Sequence, residues 1–142
     1  MTNAYLILKR KQQEEVNNFP MVFAFSDKQF EEGMEKLGLT ATDTSKVCSI
    51  GGGGIIRKTD SQTFGDMLEM QKKEMDEAIE ADTTGDGFIF DMFSYELANH
   101  EYSYTWDIEP TLDALGLTID EVNASDKLLN GLKKAKKSVS DY

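Results

Sequence analysis

The chain has 142 residues, 39% of them hydrophobic, and its 26 acidic against 15 basic residues give a formal charge of −11. One domain with an ordinary core fits that size, whereas direct binding to duplex DNA or to an anionic membrane, both of which need a continuous basic surface, does not fit that charge. The apolar runs are too short to cross a bilayer, the opening MTNAYLILKRKQQEE lacks the order of a secretion signal, and the lone Cys48 offers neither an internal disulfide nor a zinc set, so a cytoplasmic protein with a buried thiol is expected.

In chain order, Ala4 to Phe19 reads as an amphipathic helix because Tyr5, Leu8, Gln12, Val16 and Phe19 share a face, and Pro20 ends it. MVFAF, residues 21–25, reads as a strand. Ser26 then opens a helix with Gln29 as its capping-box partner and Gly38 as its stop. In KVCSIGGGGIIRKTD, four glycines separate two β-favouring runs, which predicts a hairpin with a long flexible tip or a bulged strand pair. Thr59 or Asp60 is expected to cap a helix from Thr63 to Glu80 that buries Phe64, Met67, Leu68, Gln71, Met75, Ala78 and Ile79. The turn DTTGDG leads into a helix with Ile89, Met92, Phe93 and Leu97 on one face. SYTWD, residues 103–107, reads as a further strand. Pro110 starts a short helix ending at Leu115-Gly116-Leu117, Thr118 and Glu121 form a second capping box, and a basic amphipathic helix carrying Leu128, Leu129, Leu132 and Val139 follows. LGLT occurs at 37–40 and again at 115–118, which shared helix-stop chemistry explains without a duplicated domain. The expected fold is a single α+β domain over residues 1–142, a small antiparallel sheet of about three strands packed by four to six helices.

Three segments carry candidate chemistry. Residues 82–93, DTTGDGFIFDMF, start like a calcium loop, with Asp82, Thr84 and Asp86 at ligand positions and Gly87 at the turn. Phe90 and Phe93 then stand where a ligand and the bidentate glutamate belong, so the segment reads as a structural turn in which Gly85 and Gly87 take positive φ and Asp86 caps the next helix. A calcium-responsive module using Asp82, Thr84 and Asp86 is the alternative. Gly51, Gly52, Gly53 and Gly54 lack the Lys-Ser/Thr of a P-loop; they read as a contact loop, or with Arg57 as a weak anion site in a small ligand-binding protein or enzyme. His100 is the only histidine and reads as a boundary residue, and with no GxSxG or HExxH spacing a non-enzymatic protein without a cofactor is expected. Tyr95, Tyr102, Tyr104 and Trp106 read as a core strand in preference to a protein-binding face.

Charge distribution adds direction. From Asp66 to Glu121 there are 16 acidic and 2 basic residues, and the cations gather at the two ends. Asp66, Glu69, Glu74, Asp76, Glu77, Glu80, Asp82 and Asp86 are the candidate contact residues for a partner with a basic surface, with Glu69, Asp76 and Glu80 repeating at helical spacing. The blocks NFPMVFAFSDKQFEEGMEKLG, SIGGGGIIRKTD and DMFSYELANHEY resemble small acidic proteins of unknown function carried by phages and mobile elements of Firmicutes. That resemblance implies a setting in which such proteins bind host proteins and some block nucleic-acid enzymes, CRISPR nucleases included, by occupying the channel meant for DNA. The expected function is therefore non-enzymatic binding of a basic host or defence protein, as a DNA mimic or anti-CRISPR-like inhibitor.

Overall fold

In the computed structural model, which describes residues 2–140, eight α-helices and one three-stranded antiparallel sheet follow one another along the chain. They are α1 (Ala4–Asn17), β1 (Val22–Phe23), α2 (Asp27–Lys36), β2 (Val47–Gly51), β3 (Gly54–Arg57), α3 (Ser61–Ala81), α4 (Phe88–Asn99), α5 (Tyr102–Thr105), α6 (Glu109–Leu115), α7 (Ile119–Asn123) and α8 (Asp126–Ser140). The α+β class is as the sequence predicts, and the helices beyond the expected four to six are short ones such as α5 and α7. Contacts group these elements into two compact units, one of residues 14–72 and one that joins residues up to Gln13 with those from Lys73 onward.

The 14–72 unit holds the sheet, in the order β1-β3-β2. Cys48 pairs with Ile56 and Gly51 with Gly54, with a register shift between Ser49 and Gly51, so the glycine run is a bulged hairpin. Its tip is a two-residue turn and not a long flexible loop. Gly52 and Gly53 have φ of 58° and 82°, the doubly positive pattern of a type I′ turn, which matches the twist of the strands it joins. β1 is shorter than MVFAF suggests, although the Ala24 amide still donates to the Gly53 carbonyl at 3.0 Å. Helix α2 starts at Ser26, whose hydroxyl accepts from the Gln29 amide at 3.2 Å, and Gln29 reaches back to the Phe25 amide. It ends with the Leu39 amide on the Met34 carbonyl and the Gly38 amide on that of Glu35, a Schellman motif. The same two bonds recur from Leu117 to Leu112 and from Gly116 to Asp113, which accounts for the repeated LGLT. Met34, Leu37 and Ile56 form the buried centre, and Cys48 is half-buried on β2.

The other unit is built on α4 and α8. Ile89, Met92, Phe93 and Leu97 of α4 are buried as their spacing predicts, against Leu132, Ala135 and Val139 of α8, with Tyr5, Leu112 and Val122 completing the core from α1, α6 and α7. One expectation holds in part and one fails. Along the expected stripe of α3, Phe64, Met67, Gln71, Met75, Ala78 and Ile79 are half-buried, none is fully buried, and Leu68 is exposed; Phe64 meets the ring of Phe19 in the 14–72 unit, while Met75 and Ile79 pack against this core. SYTWD is not a strand. The amides of Thr105 and Trp106 bond to the carbonyls of Glu101 and Tyr102, which makes one helical turn, α5, and the sheet's strands all lie in the other unit.

The loop before α4 meets α8 closely at Gly85, and Gly131 of α8 packs in turn against Gly85 and Ile89. Gly85 has φ of 90° and lies on α8, where a Cβ would collide with the Lys127 carbonyl. Gly85→Ala therefore combines a backbone clash with a disfavoured φ and is expected to cost about 3 kcal/mol or more, whereas Gly65→Ala on α3, with open space around it, should stabilise by up to about 1 kcal/mol through helix propensity. Urea unfolding of the two variants checks both signs.

Candidate functional site

Residues 82–89 link α3 to α4, and one carboxylate organises them. Asp82 Oδ1 accepts from the amides of Thr84 at 3.3 Å and Gly85 at 2.9 Å, and Oδ2 accepts from those of Gly87 at 3.1 Å and Ile89 at 3.0 Å. Two amides at the start of α4, those of Gly87 and Ile89, are thus satisfied by Asp82 from outside the helix, and the residue at the cap position, Gly87, contributes no side chain. Asp86 is not the cap that the sequence suggested. Gly85 takes the expected positive φ, but Gly87 has φ of −104°. Burial raises the Asp82 pKa, yet the four amides outweigh it, so the group titrates below its ordinary value.

Helix α8 closes this loop from one side. Lys134 Nζ lies 2.6 Å from Asp86 Oδ1, and Asn130 Nδ2 bridges the same oxygen at 2.9 Å and the Thr84 carbonyl at 2.8 Å. These bonds, led by that of Lys134, hold the Asp86 carboxyl below its usual range. Lys127 donates to the Ile79 carbonyl at 3.0 Å, capping the end of α3, and lies 3.7 Å from Glu80 Oε2. Of the calcium-loop candidates, then, Asp82 spends both oxygens on amides, the Thr84 hydroxyl accepts from the Asp86 amide, and Asp86 already holds an ammonium. Among the described residues, no group of three or more His, Cys, Asp or Glu side chains is placed to hold a metal ion.

The eight candidate contact carboxylates separate by environment. In the 14–72 unit, Glu69 is exposed and Asp66 accepts from Gln62 at 2.8 Å. In the other unit, Glu74 is tied to Lys11 at 2.6 Å and Asp86 to Lys134, and Asp82 serves its loop. Asp76, Glu77 and Glu80 stay on the exposed side of α3; Glu77 and Glu80 are 68% and 88% exposed, so their pairs with Lys73 and Lys127 are loose surface contacts. The cations at the chain ends therefore cover part of the acidic middle and leave the outer side of α3 negative. The glycine candidate does not assemble either. Arg57 ends β3, away from the turn that begins it, and its guanidinium pairs with Asp60 at 2.9 Å. Asp60 Oδ2 is engaged there. His100 is the half-buried C-cap of α4.

A polar cluster that periodicity did not reveal fastens α1 to α4. Glu96 is 1% exposed; Tyr5 donates its hydroxyl to Oε2 at 3.2 Å, Lys9 Nζ approaches Oε1 at 3.3 Å, and the Thr111 hydroxyl donates to the Glu96 carbonyl. Burial, and then the Glu96 charge, push the Tyr5 phenol well above its ordinary pKa. Lys9 also lies over the rings of Tyr5 and Tyr95, and Asp91 Oδ2 accepts the Ala4 amide at the start of α1. Glu96 falls on the apolar face of α4 at the spacing of Met92 and Phe93; an acid on that face was the available signal.

The α5 turn breaks a different rule. Glu101 and Trp106, which flank it, both have φ of 57°, the left-handed region that costs a non-glycine residue roughly 1 to 3 kcal/mol. Tyr102 points inward, while Tyr104 and Trp106 are 84% and 68% exposed.

Two outcomes follow from the loop. Asp82→Asn turns an amide nitrogen toward backbone donors and is expected to lose about 1 to 3 kcal/mol at neutral pH. Because the folded pKa lies below the ordinary aspartate value of 3.8, the carboxylate's contribution is present above 3.8 and disappears as the pH falls through the folded value. Thermal unfolding across this range should show wild type and variant converging in acid. Millimolar calcium is expected to leave the wild-type melting temperature unchanged; a rise that Asp86→Ala abolishes would restore the calcium module.

No match to the chain is found among curated proteins or among solved structures. The model of a family of unknown function (DUF7659) matches residues 4–138, and the chain belongs to that family.

Proposed function

We propose that this chain is a non-enzymatic binding protein whose exposed carboxylates engage a basic surface on a protein partner. The observation that carries this reading is the outer side of α3. In a chain of net charge −11, the helix buries none of its residues, and Glu77 and Glu80 stay 68% and 88% exposed, held only by loose surface pairs with Lys73 and Lys127. Glu69 and Asp66, in the other compact unit, extend the candidate set. Asp76 to Glu80 spans about 6 Å of helix axis, so the carboxylates of Asp76, Glu77 and Glu80 form a compact acidic cluster at the end of α3. The resemblance to acidic proteins of phages and mobile elements of Firmicutes supports a narrower form. In it the partner is a nucleic-acid enzyme of the host, a defence nuclease included, the acidic helix occupies its DNA channel, and the encounter takes place in the host cytoplasm.

The test is a tagged pull-down from nuclease-treated lysate, with candidate partners then purified and titrated. Binding is expected to weaken about tenfold or more between about 50 mM and 300 mM salt and to fail when Asp76, Glu77 and Glu80 are replaced together by lysine. Salt-insensitive binding, or full binding by the triple variant, would overturn the proposal; a partner without nucleic-acid activity would remove its narrower form.

A further inference from the structure

In the unit that joins the chain's ends, Tyr5, Phe93 and Tyr102 are less than 5% exposed and Phe88, Phe90 and Tyr95 are half-buried. Among this unit's described residues Tyr104 and Trp106, the latter the chain's only tryptophan, are the exposed aromatics, and both belong to the single turn of α5 and its cap. Their backbone is held in place. The Trp106 amide donates to the Tyr102 carbonyl at 2.8 Å, the rings of Tyr102 and Trp106 meet edge to face with centroids 5.7 Å apart, and the Asp107 amide is fixed by the Thr105 hydroxyl at 3.1 Å. After α2 and α6 the chain turns in the left-handed region with a glycine, Gly38 and Gly116, whereas after α5 it does so with Trp106 itself. A bulky ring is thus retained where glycine would be more stable, and it is aimed at solvent.

The surroundings define what could cover it. Glu101, Asp107 and Glu109 are exposed on either side of the turn, and the sequence holds no lysine or arginine from Glu74 to Asp126. Among the described residues the cation–ring contacts are those of Lys9 with Tyr5 and Tyr95, so no cation occupies the faces of Tyr104 and Trp106. Beside Tyr104, a cleft of about 520 Å³ opens between Ala98, Ser103, Val139 and Ser140, wide enough for an aliphatic side chain. Exposed aromatic faces rimmed by carboxylates suit a guanidinium, which stacks on a ring while forking to an acid and keeps its charge at all ordinary pH. A nucleic acid would stack on the rings but meet the wrong charge.

We infer that the α5 turn is an anchoring point for an arginine-bearing protein surface, with Trp106 and Tyr104 stacking on guanidinium groups and Glu101, Asp107 and Glu109 pairing with them. This rests on the proposed function and deepens it. The carboxylates of α3 supply long-range attraction to a basic partner, and the α5 turn supplies the short-range grip and the preference for arginine.

The test uses the full chain and short peptides that alternate leucine with arginine, with lysine or with glutamate. Since Trp106 is the only tryptophan, its emission reports on this turn alone. The arginine peptide is expected to change that emission saturably and to bind about tenfold more tightly than the lysine peptide, with the glutamate peptide inert. Anisotropy of the labelled arginine peptide should show a loss of about tenfold or more for Trp106→Gly, which keeps the left-handed backbone, and for Tyr104→Ala, and a comparable loss when Asp107 and Glu109 become lysine. Equal binding of the arginine and lysine peptides, an unchanged emission, or full affinity in Trp106→Gly and Tyr104→Ala would overturn the inference. If the arginine peptide binds and only the α3 triple lysine variant loses affinity, the acidic-binding proposal stands and the α5 site falls. An emission change on raising protein concentration without peptide would assign the turn to a second copy of this chain and equally overturn it.

Discussion

One carboxylate holding four backbone amides is the constraint on which the acidic region depends. Asp82 fixes where α3 ends and α4 begins, and the loop it shapes brings Gly85 against the backbone of α8. Only with Gly85 in that place can Lys134 and Asn130 reach Asp86, and Lys127 the last carbonyls of α3. Ammonium groups thereby do locally what a divalent cation does in a calcium loop: they neutralise an acidic turn and tie it to a neighbouring helix. The ligand-like spacing of Asp82, Thr84 and Asp86 serves hydrogen-bond geometry inside the protein.

Local rules were legible in the sequence wherever one residue and its near neighbours decide the outcome. The face of Ile89, Met92, Phe93 and Leu97, the Thr118–Glu121 box and the two LGLT stops all depend on spacings of three to five residues. What stayed hidden depends on partners far along the chain. Lys134 lies 48 residues from Asp86, and Tyr5 lies 91 residues from Glu96, so no window of sequence contains either pair. The α5 turn misled for another reason. Tyr102, Tyr104 and Trp106 alternate as strand residues do, but over five residues alternation also fits one helical turn, and no strand is available to pair with it. Along α3 the apolar spacing is genuine, and the stripe is half-buried everywhere but at Leu68; what spacing could not disclose is that none of it is fully enclosed.

The candidate site also shows why a charge map drawn from sequence needs a structure to refine it. Eight carboxylates carry the same formal charge in the sequence, yet Asp82 is consumed by amides, Glu74 and Asp86 are tied closely to lysines, and Glu77 and Glu80 stay mostly in solvent beside Lys73 and Lys127. A surface of this kind attracts over distance but selects poorly, because screened charges discriminate weakly among basic surfaces. Selectivity comes from shape and stacking, which places weight on the aromatic turn at α5.

The division of the chain into two units has a consequence for how the molecule comes into being. The 14–72 unit is drawn from one continuous stretch, so every contact it needs is in hand once residue 72 has been made. The other unit must wait for α8, because its core joins Tyr5 to Ile89 and Leu132. Until α4 is in place, Tyr5 has neither Phe88 and Tyr95 beside its ring nor Glu96 for its hydroxyl. The slow, high-contact-order step of folding is the return of the first helix to a core completed by the last, and the exposure of both during that wait is where chaperones would act.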